Sequence, residues 1–295
     1  MLRKNRQDIL AGLRENLNKG KILTGLGTGM EEILKHIDRT RTNVDLVALY
    51  HTGRLQRAGR NLMSSLLSYD DANSLMQAKG EELLPVVKKT PLIAGVCGTD
   101  PFRKMDMFLA QLIEDGFNGV QNFPTVGIID GRFRANLEGT DLGYQLEVDM
   151  VREAHELDLF TCPFVFDVEQ GKAMTEAGAD VLVIHLGIVT KAMLNAGNVP
   201  PLSDCCALAE RIMRESKAIR PDVITLVCGQ RMAASEDAAY IVEHVPELDG
   251  FFSFYPLKSE DTERSLQARV RSYKVLDKMK AFVARKQGAM SDGSL

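Results

Sequence analysis

Two rhythms alternate along the chain. Short runs that are apolar throughout occupy Ile22–Leu26, Leu46–Tyr50, Leu92–Cys97, Gly119–Asn122, Phe164–Phe166, Val181–His185, Ile224–Cys228 and Phe251–Tyr255. Unbroken apolar runs are the mark of parallel strands covered on both faces. Between them apolar residues recur at helical spacing, over Met30–Ile37, Asp71–Val87, Lys104–Asp115, Tyr144–Leu157, Glu169–Ala177, Asp204–Ile219 and Glu236–His244. Several runs follow a turn and an acid, as at Asp45, Asp180, Asp222 and Asp249. Eight strand–helix units predict an α/β fold, a single (β/α)8 TIM barrel, with an open doubly wound sheet as the alternative.

The ends extend this unit. Residues 5–18 place Ile9, Leu10, Leu13 and Leu17 on one helical face, and Gly20 stops the helix. The expected layout is an N-terminal helical extension over 1–20, the barrel over 21–287 and a flexible tail over 288–295. The last helical stretch, about 260–286, is longer than a barrel helix needs. Its Leu266, Val270, Tyr273, Leu276, Met279, Phe282 and Val283 make one apolar face. That face predicts a homo-oligomer, or else packing against the N-terminal helix.

Strand spacing is uneven. Long segments, 51–70, 123–143 and 187–203, follow the second, fourth and sixth strands. In a barrel they emerge at the C-terminal face, where barrel active sites sit. The stretch 119–144 is broken by Pro124, Gly127, Gly131 and Gly139, yet keeps Phe123, Val126, Ile128, Ile129, Phe133 and Leu137. It reads as an ordered loop walling a site, with Thr125 among its polar groups.

Composition narrows the possibilities. The chain has 295 residues, is 26% charged and carries a net charge of −4, so it shows no basic footprint for nucleic acid. No apolar run reaches a membrane span, and the start MLRKNRQDIL lacks a signal-peptide core. Five cysteines without CxxC spacing fit reduced thiols in a cytoplasmic protein.

Candidate chemistry gathers at strand ends. Gly25, Gly27 and Gly29 in TGLGTGM permit an anion at a helix N-terminus, or simply make a tight turn. Arg54, Arg57 and Arg60 would share a helical face, either as a bidentate anion clamp or as a solvated face paired with Asp70 and Asp71. Asp100 after the third strand can bind Mg²⁺, act as a base or cap a helix. Cys97 and Cys228 end strands, where a thiol is usually packing. Asn122 can bond an oxyanion or make an Asx turn, and Glu138 can be an acid–base group or face solvent. His185 ends an apolar strand and is the first choice for a catalytic or ligand-binding histidine; His51 is at a similar place.

YHTGR…AGR, DDAN at 70–73, GVCGTDPFR, QNFPTVGIIDGRFRANLE and AGADVLVIHLG together resemble the phosphoenolpyruvate hydrolase-like family, also called the TIM-barrel signal-transduction family. The resemblance covers roughly residues 10–285. It implies a hydrolytic or lyase site for a small phosphorylated or phosphonylated acid of the phosphoenolpyruvate or phosphonopyruvate class, with Mg²⁺ or another divalent cation. Gly25, Gly27, Arg54, Cys97 and Thr125 would then hold the anionic substrate. His185 and Asn122 would stabilise developing charge, and Asp100 or Glu138 would supply the metal ligand or base. The chain lacks the Glu-Asp-Lys loop of phosphonopyruvate-cleaving barrels. A non-catalytic small-molecule sensor or signal-transduction module on the same barrel is the alternative; neither reading calls for nucleic acid or membrane.

Overall fold

A computed structural model describes residues 4–40, 44–60, 62–188, 191–229 and 235–254, with Arg271, Ser272, Leu276 and Asp277. Most of the C-terminal stretch 260–286 and the tail 288–295 lie outside the described residues.

Nine parallel strands form one curled sheet. They are β1 (Leu23–Thr28), β2 (Leu46–Leu49), β3 (Leu92–Val96), β4 (Gly119–Asn122), β5 (Phe160–Thr161), β6 (Phe164–Val165), β7 (Val181–His185), β8 (Ile224–Cys228) and β9 (Gly250–Phe254). The order is β5-β4-β3-β2-β1-β9-β8-β7-β6. The two outermost strands are therefore consecutive in the chain, separated only by Cys162 and Pro163. Hydrogen bonds continue through this break: Cys162 N–H donates to Val120 O at 3.0 Å and Val183 N–H to Pro163 O at 2.8 Å. The expected fifth strand, Phe164–Phe166, is thus only the second half of a longer element.

Eleven helices are described: α1 (Arg6–Asn18), α2 (Glu31–Thr40), α3 (Gly53–Arg57), α4 (Ala72–Leu83), α5 (Met105–Asp115), α6 (Gly131–Glu138), α7 (Gln145–Glu156), α8 (Val168–Glu176), α9 (Lys191–Ala196), α10 (Leu202–Ile219) and α11 (Ser235–His244). The long loop expected over 123–143 is corrected here. It holds a short 3-10 turn, Val126–Ile128, and α6. No residue of α6 is buried, so it lacks the apolar stripe by which a helix announces itself.

The sheet separates two apolar layers. Outward side chains such as Leu26, Val47 and Leu182 pack with the helices. Inward ones, including Leu46, Ile93, Phe160 and Phe252, form a second cluster, which Ile9, Leu10 and Leu13 of α1 join from the strand starts. Arg6 fixes α1 there by a two-pronged bond to Asp180, at 2.9 Å from Nε and from Nη2.

The acids before strands have a repeated job. Asp45 accepts from Thr24 N–H (2.7 Å) and its hydroxyl (3.1 Å). Asp180 does the same for Thr161, at 3.1 and 3.4 Å, and Asp249 for Thr225, at 2.9 and 3.1 Å. The Asp45 and Asp249 clasps tie neighbouring strands, β1 to β2 and β8 to β9, and the Asp180 clasp joins the start of β7 to β5. Such charge-assisted bonds stabilise by about 1.5–3 kcal/mol each.

Candidate functional site

The C-terminal strand ends carry aromatic rings. Phe123 follows β4, Phe164 lies in β6, Phe166 follows it, and Phe254 ends β9. Phe123 stacks on Tyr50 at 3.9 Å between centroids, and Phe164 stacks on Phe254 at 5.5 Å. Glycines make room for the rings beneath. A Cβ on Gly25 would collide with Phe252, and one on Gly27 with Tyr50. Both glycines sit inside β1, which corrects the expected turn after the first strand. Tyr50 is fixed in turn: its hydroxyl donates to Gln121 Oε1 at 2.5 Å, and Gln121 donates to Cys162 O at 2.7 Å.

These rings wall a cleft with Met63 and Ile128, and the free space is about 20 Å³, room for one water. Its polar lining is Ser65, Thr125 and His185. His185 is buried and lies 5.0 Å from Phe166 and 5.9 Å from Phe164, between centroids. Burial pushes its pKa down to about 4, so the ring is neutral. Gly187 N–H donates to Nδ1 at 3.0 Å, so Nε2 carries the ring proton. His51, after β2, is 6% exposed and also held near pKa 4 by burial. Its Nδ1 has no partner among the described residues.

Behind Thr125 stands Glu147, a residue sequence reading missed. It is fully buried in the first turn of α7. Asn122 Nδ2 (2.5 Å) and Thr125 Oγ1 (2.6 Å) donate to Oε2, and Val126 N–H (2.7 Å) donates to Oε1. Burial outweighs these bonds and raises its pKa to about 7. The available signal was an acid in an apolar stripe, since Glu147, Met150, Val151 and Ala154 share one buried face.

The remaining candidates separate. Asn122 is where expected but is occupied: Phe164 N–H donates to its Oδ1 at 2.6 Å. Asn73 plays the same part for Cys97, accepting from its N–H at 2.9 Å and donating to its O at 3.2 Å. Burial raises the Cys97 thiol above its usual range, and Thr99 Oγ1 lies 3.6 Å from the sulfur. Cys228 is buried inside the sheet, its pKa likewise pushed up by burial. All five cysteines are free thiols. Glu138 is not deep in a loop; it ends α6, exposed, bonded by Arg134 Nε at 2.5 Å and by Tyr144 N–H at 3.2 Å. Arg54 is 72% exposed and 3.9 Å from Asp70, and Arg57 pairs with Glu32 at 3.2 Å, which is the solvated face.

Asp100 does not suit a metal as placed. Its Oδ2 accepts from Asn73 at 2.9 Å and lies 3.3 Å from Arg103 Nε, while Oδ1 accepts from Phe102 N–H at 2.9 Å. A divalent cation needs those lone pairs and no guanidinium beside them. Among the described residues no group of three or more His, Cys, Asp or Glu side chains is placed to hold a metal. Nor is any described helix long and apolar enough to cross a membrane.

Known proteins resemble this chain at two levels. The profile of the family described as phosphoenolpyruvate hydrolase-like matches residues 8–276. The tomato (Solanum lycopersicum) protein named ToMV susceptible protein tm-1(GCR26) is 41% identical over 266 residues, 90% of this chain and 35% of its own length. A Sinorhizobium fredii protein with the provisional name of a transcriptional regulatory protein is 29% identical over 273 residues, 91% of this chain and 44% of its own. The chain thus spans less than half the length of either relative. Among solved structures, type I 3-dehydroquinate dehydratase from Clostridium difficile superposes with a TM-score of 0.52, covering 88% of this chain and 94% of its own, at 11% identity. That likeness is one of fold, to a TIM-barrel-like enzyme.

Proposed function

The chain belongs to the phosphoenolpyruvate hydrolase-like family, and from that premise we propose that it is a small-molecule-binding sensor or interaction module. The curled sheet is read as a closed (β/α)8 barrel in which β5 and β6 are halves of one strand; the hydrogen bonds through Cys162 and Pro163 support this. The ligand would sit at the C-terminal mouth, and the loops around it would report occupancy. One observation carries the reading: the described mouth gathers four phenylalanines around a neutral His185, with only uncharged polar groups beside it. The regulatory name of the bacterial relative is consistent with it. A cytosolic home and self-association belong to the same proposal.

The family's description favours a second reading, hydrolysis or lysis of a phosphoenolpyruvate- or phosphonopyruvate-class acid. That chemistry would draw on Mg²⁺ and on His185 and Asn122, but the bonds already made by Asn122 and Asp100 weigh against it. Phosphate release from phosphoenolpyruvate and phosphonopyruvate, with and without Mg²⁺, separates the two. The binding reading expects none above the buffer rate. Sustained Mg²⁺-dependent release that His185→Ala abolishes would replace it with the hydrolase.

A further inference from the structure

Resting on the reading of the mouth as a ligand site, we infer that its ligand is an uncharged, flat-ringed molecule bearing a hydrogen-bond acceptor, not a small polyanion. The rings of Phe123, Phe164, Phe166 and Phe254 offer faces and edges to another ring, an arrangement that adds about 0.5–1.5 kcal/mol per pair beyond area burial. Nothing charged lines this space among the described residues to repay the desolvation of a phosphate or carboxylate. Glu147 lies directly behind Thr125, whose hydroxyl bonds to it, so above its pKa of about 7 an anion in the cleft would face a carboxylate of the same sign.

The donor inventory points the same way. The Thr125 hydroxyl proton is committed to Glu147 and its oxygen accepts from Gly127 N–H at 3.0 Å. His185 Nδ1 is committed to Gly187, leaving Nε2–H with no protein acceptor among the described residues. Ser65 adds a rotatable hydroxyl to the lining, and the His185 Nε2–H is the donor with a fixed direction, which selects an acceptor such as a ring carbonyl.

The cleft is closed in this state. An apolar cavity that holds benzene is on the order of 150 Å³, far above the room present. Met63 lies on the 3-10 turn Leu62–Leu66 over the mouth and is 40% exposed. An unbranched thioether rotates readily, so Met63 is the group that yields as a ring enters.

The test uses the full chain with ¹³C-methyl methionine, Met63 being assigned through Met63→Leu. Acetophenone supplies the uncharged ring and acceptor, phosphoenolpyruvate the polyanion. Acetophenone is expected to shift the Met63 methyl and the His185 ring protons saturably, and phosphoenolpyruvate to leave both in place. His185→Phe keeps a ring but removes the donor, so acetophenone affinity should fall about tenfold, one hydrogen bond's worth. Saturable shifts from phosphoenolpyruvate and none from acetophenone overturn the inference while leaving the mouth a ligand site. Silence from both overturns the inference and the binding-site reading together. Unchanged acetophenone affinity in a folded His185→Phe removes the acceptor requirement and with it the inference.

Discussion

Asn122 pairs with the backbone of Phe164 as another strand would: it accepts from Phe164 N–H at 2.6 Å and donates to Phe164 O at 3.2 Å. The pairing falls beside Cys162 and Pro163, where β5 gives way to β6 and β4 has ended. A side-chain amide offers the same donor and acceptor as a peptide, so it can carry the ladder across the gap. Its second role is to donate to Glu147, which also holds Thr125 and Val126. One residue thereby fixes both the break in the sheet and the wall of the cleft.

Asn122→Ala is therefore expected to destabilise the protein by about 2–4 kcal/mol, since it strands a buried N–H and weakens the hold on a buried carboxylate. Denaturant unfolding measures this. A loss under about 0.5 kcal/mol would mean that water or a neighbour replaces the amide.

Glu147 sets a pH dependence whose sign can be worked out. Its folded pKa is about 7, against an ordinary 4.5. Between those values the folded protein holds the extra proton, so this group's contribution to stability falls as pH rises from about 4.5 through 7. His51 and His185 act oppositely: held neutral with pKa near 4, they lose stability as pH falls from 6.5 towards 4. Glu147→Gln removes only the first slope. The melting temperature of the variant relative to the parent should be higher at pH 8 than at pH 5.5, whatever fixed cost the amide brings. Equal differences at the two pH values would show that Glu147 stays ionised throughout.

Two glycine substitutions should move stability in opposite directions. Gly27→Ala drives a methyl into Tyr50, whose ring is fully buried and whose hydroxyl is bonded to Gln121, so it cannot step aside. A loss of about 1–3 kcal/mol is expected. Gly12 lies inside α1 with nothing near its missing Cβ. Gly12→Ala should stabilise by about 0.5–1 kcal/mol, the helical preference for alanine. Calorimetry of the pair reads both, and a neutral Gly27→Ala would show that β1 shifts to admit the methyl.

Much of this was legible because the strands are apolar on both faces. Continuous runs located β1 to β4 and β7 to β9 to within a few residues, and strand ends singled out Asn122 and His185. The break at Pro163 was hidden, because a missing N–H in an apolar stretch looks like an ordinary boundary. Helix α6 was hidden because Gly131–Glu138 buries nothing, and Phe133 and Leu137 are too few apolar residues among its polar ones to show a helical stripe. Glu147 was hidden because its donors come from residues 21 to 25 positions earlier in the chain. The glycines of β1 misled for a related reason. Nothing in TGLGTGM says that rings from β9 and from the residue after β2 fill the space a ligand would need.

The last prediction concerns assembly. The apolar face from Leu266 to Val283 falls largely outside the described residues, but one point of it is fixed. Leu276 is 7% exposed, and Asp277 accepts from Ile22 N–H at 2.7 Å, just before β1. The stretch therefore reaches the end of the sheet that α1 already occupies through Ile9, Leu10 and Leu13. With that end filled, the helix that the sequence predicts over 260–286, at ~1.5 Å rise per residue, would need another surface for the rest of its apolar side. A second copy supplies one, and closed symmetric pairs are the commonest solution among soluble proteins. Sedimentation at micromolar concentration should give at least twice the chain mass of 32.6 kDa, and Leu266→Glu with Val270→Glu should return it to one chain with the melting transition retained. A parent protein that sediments at the mass of one chain across the accessible range would assign the apolar face to the chain's own surface instead.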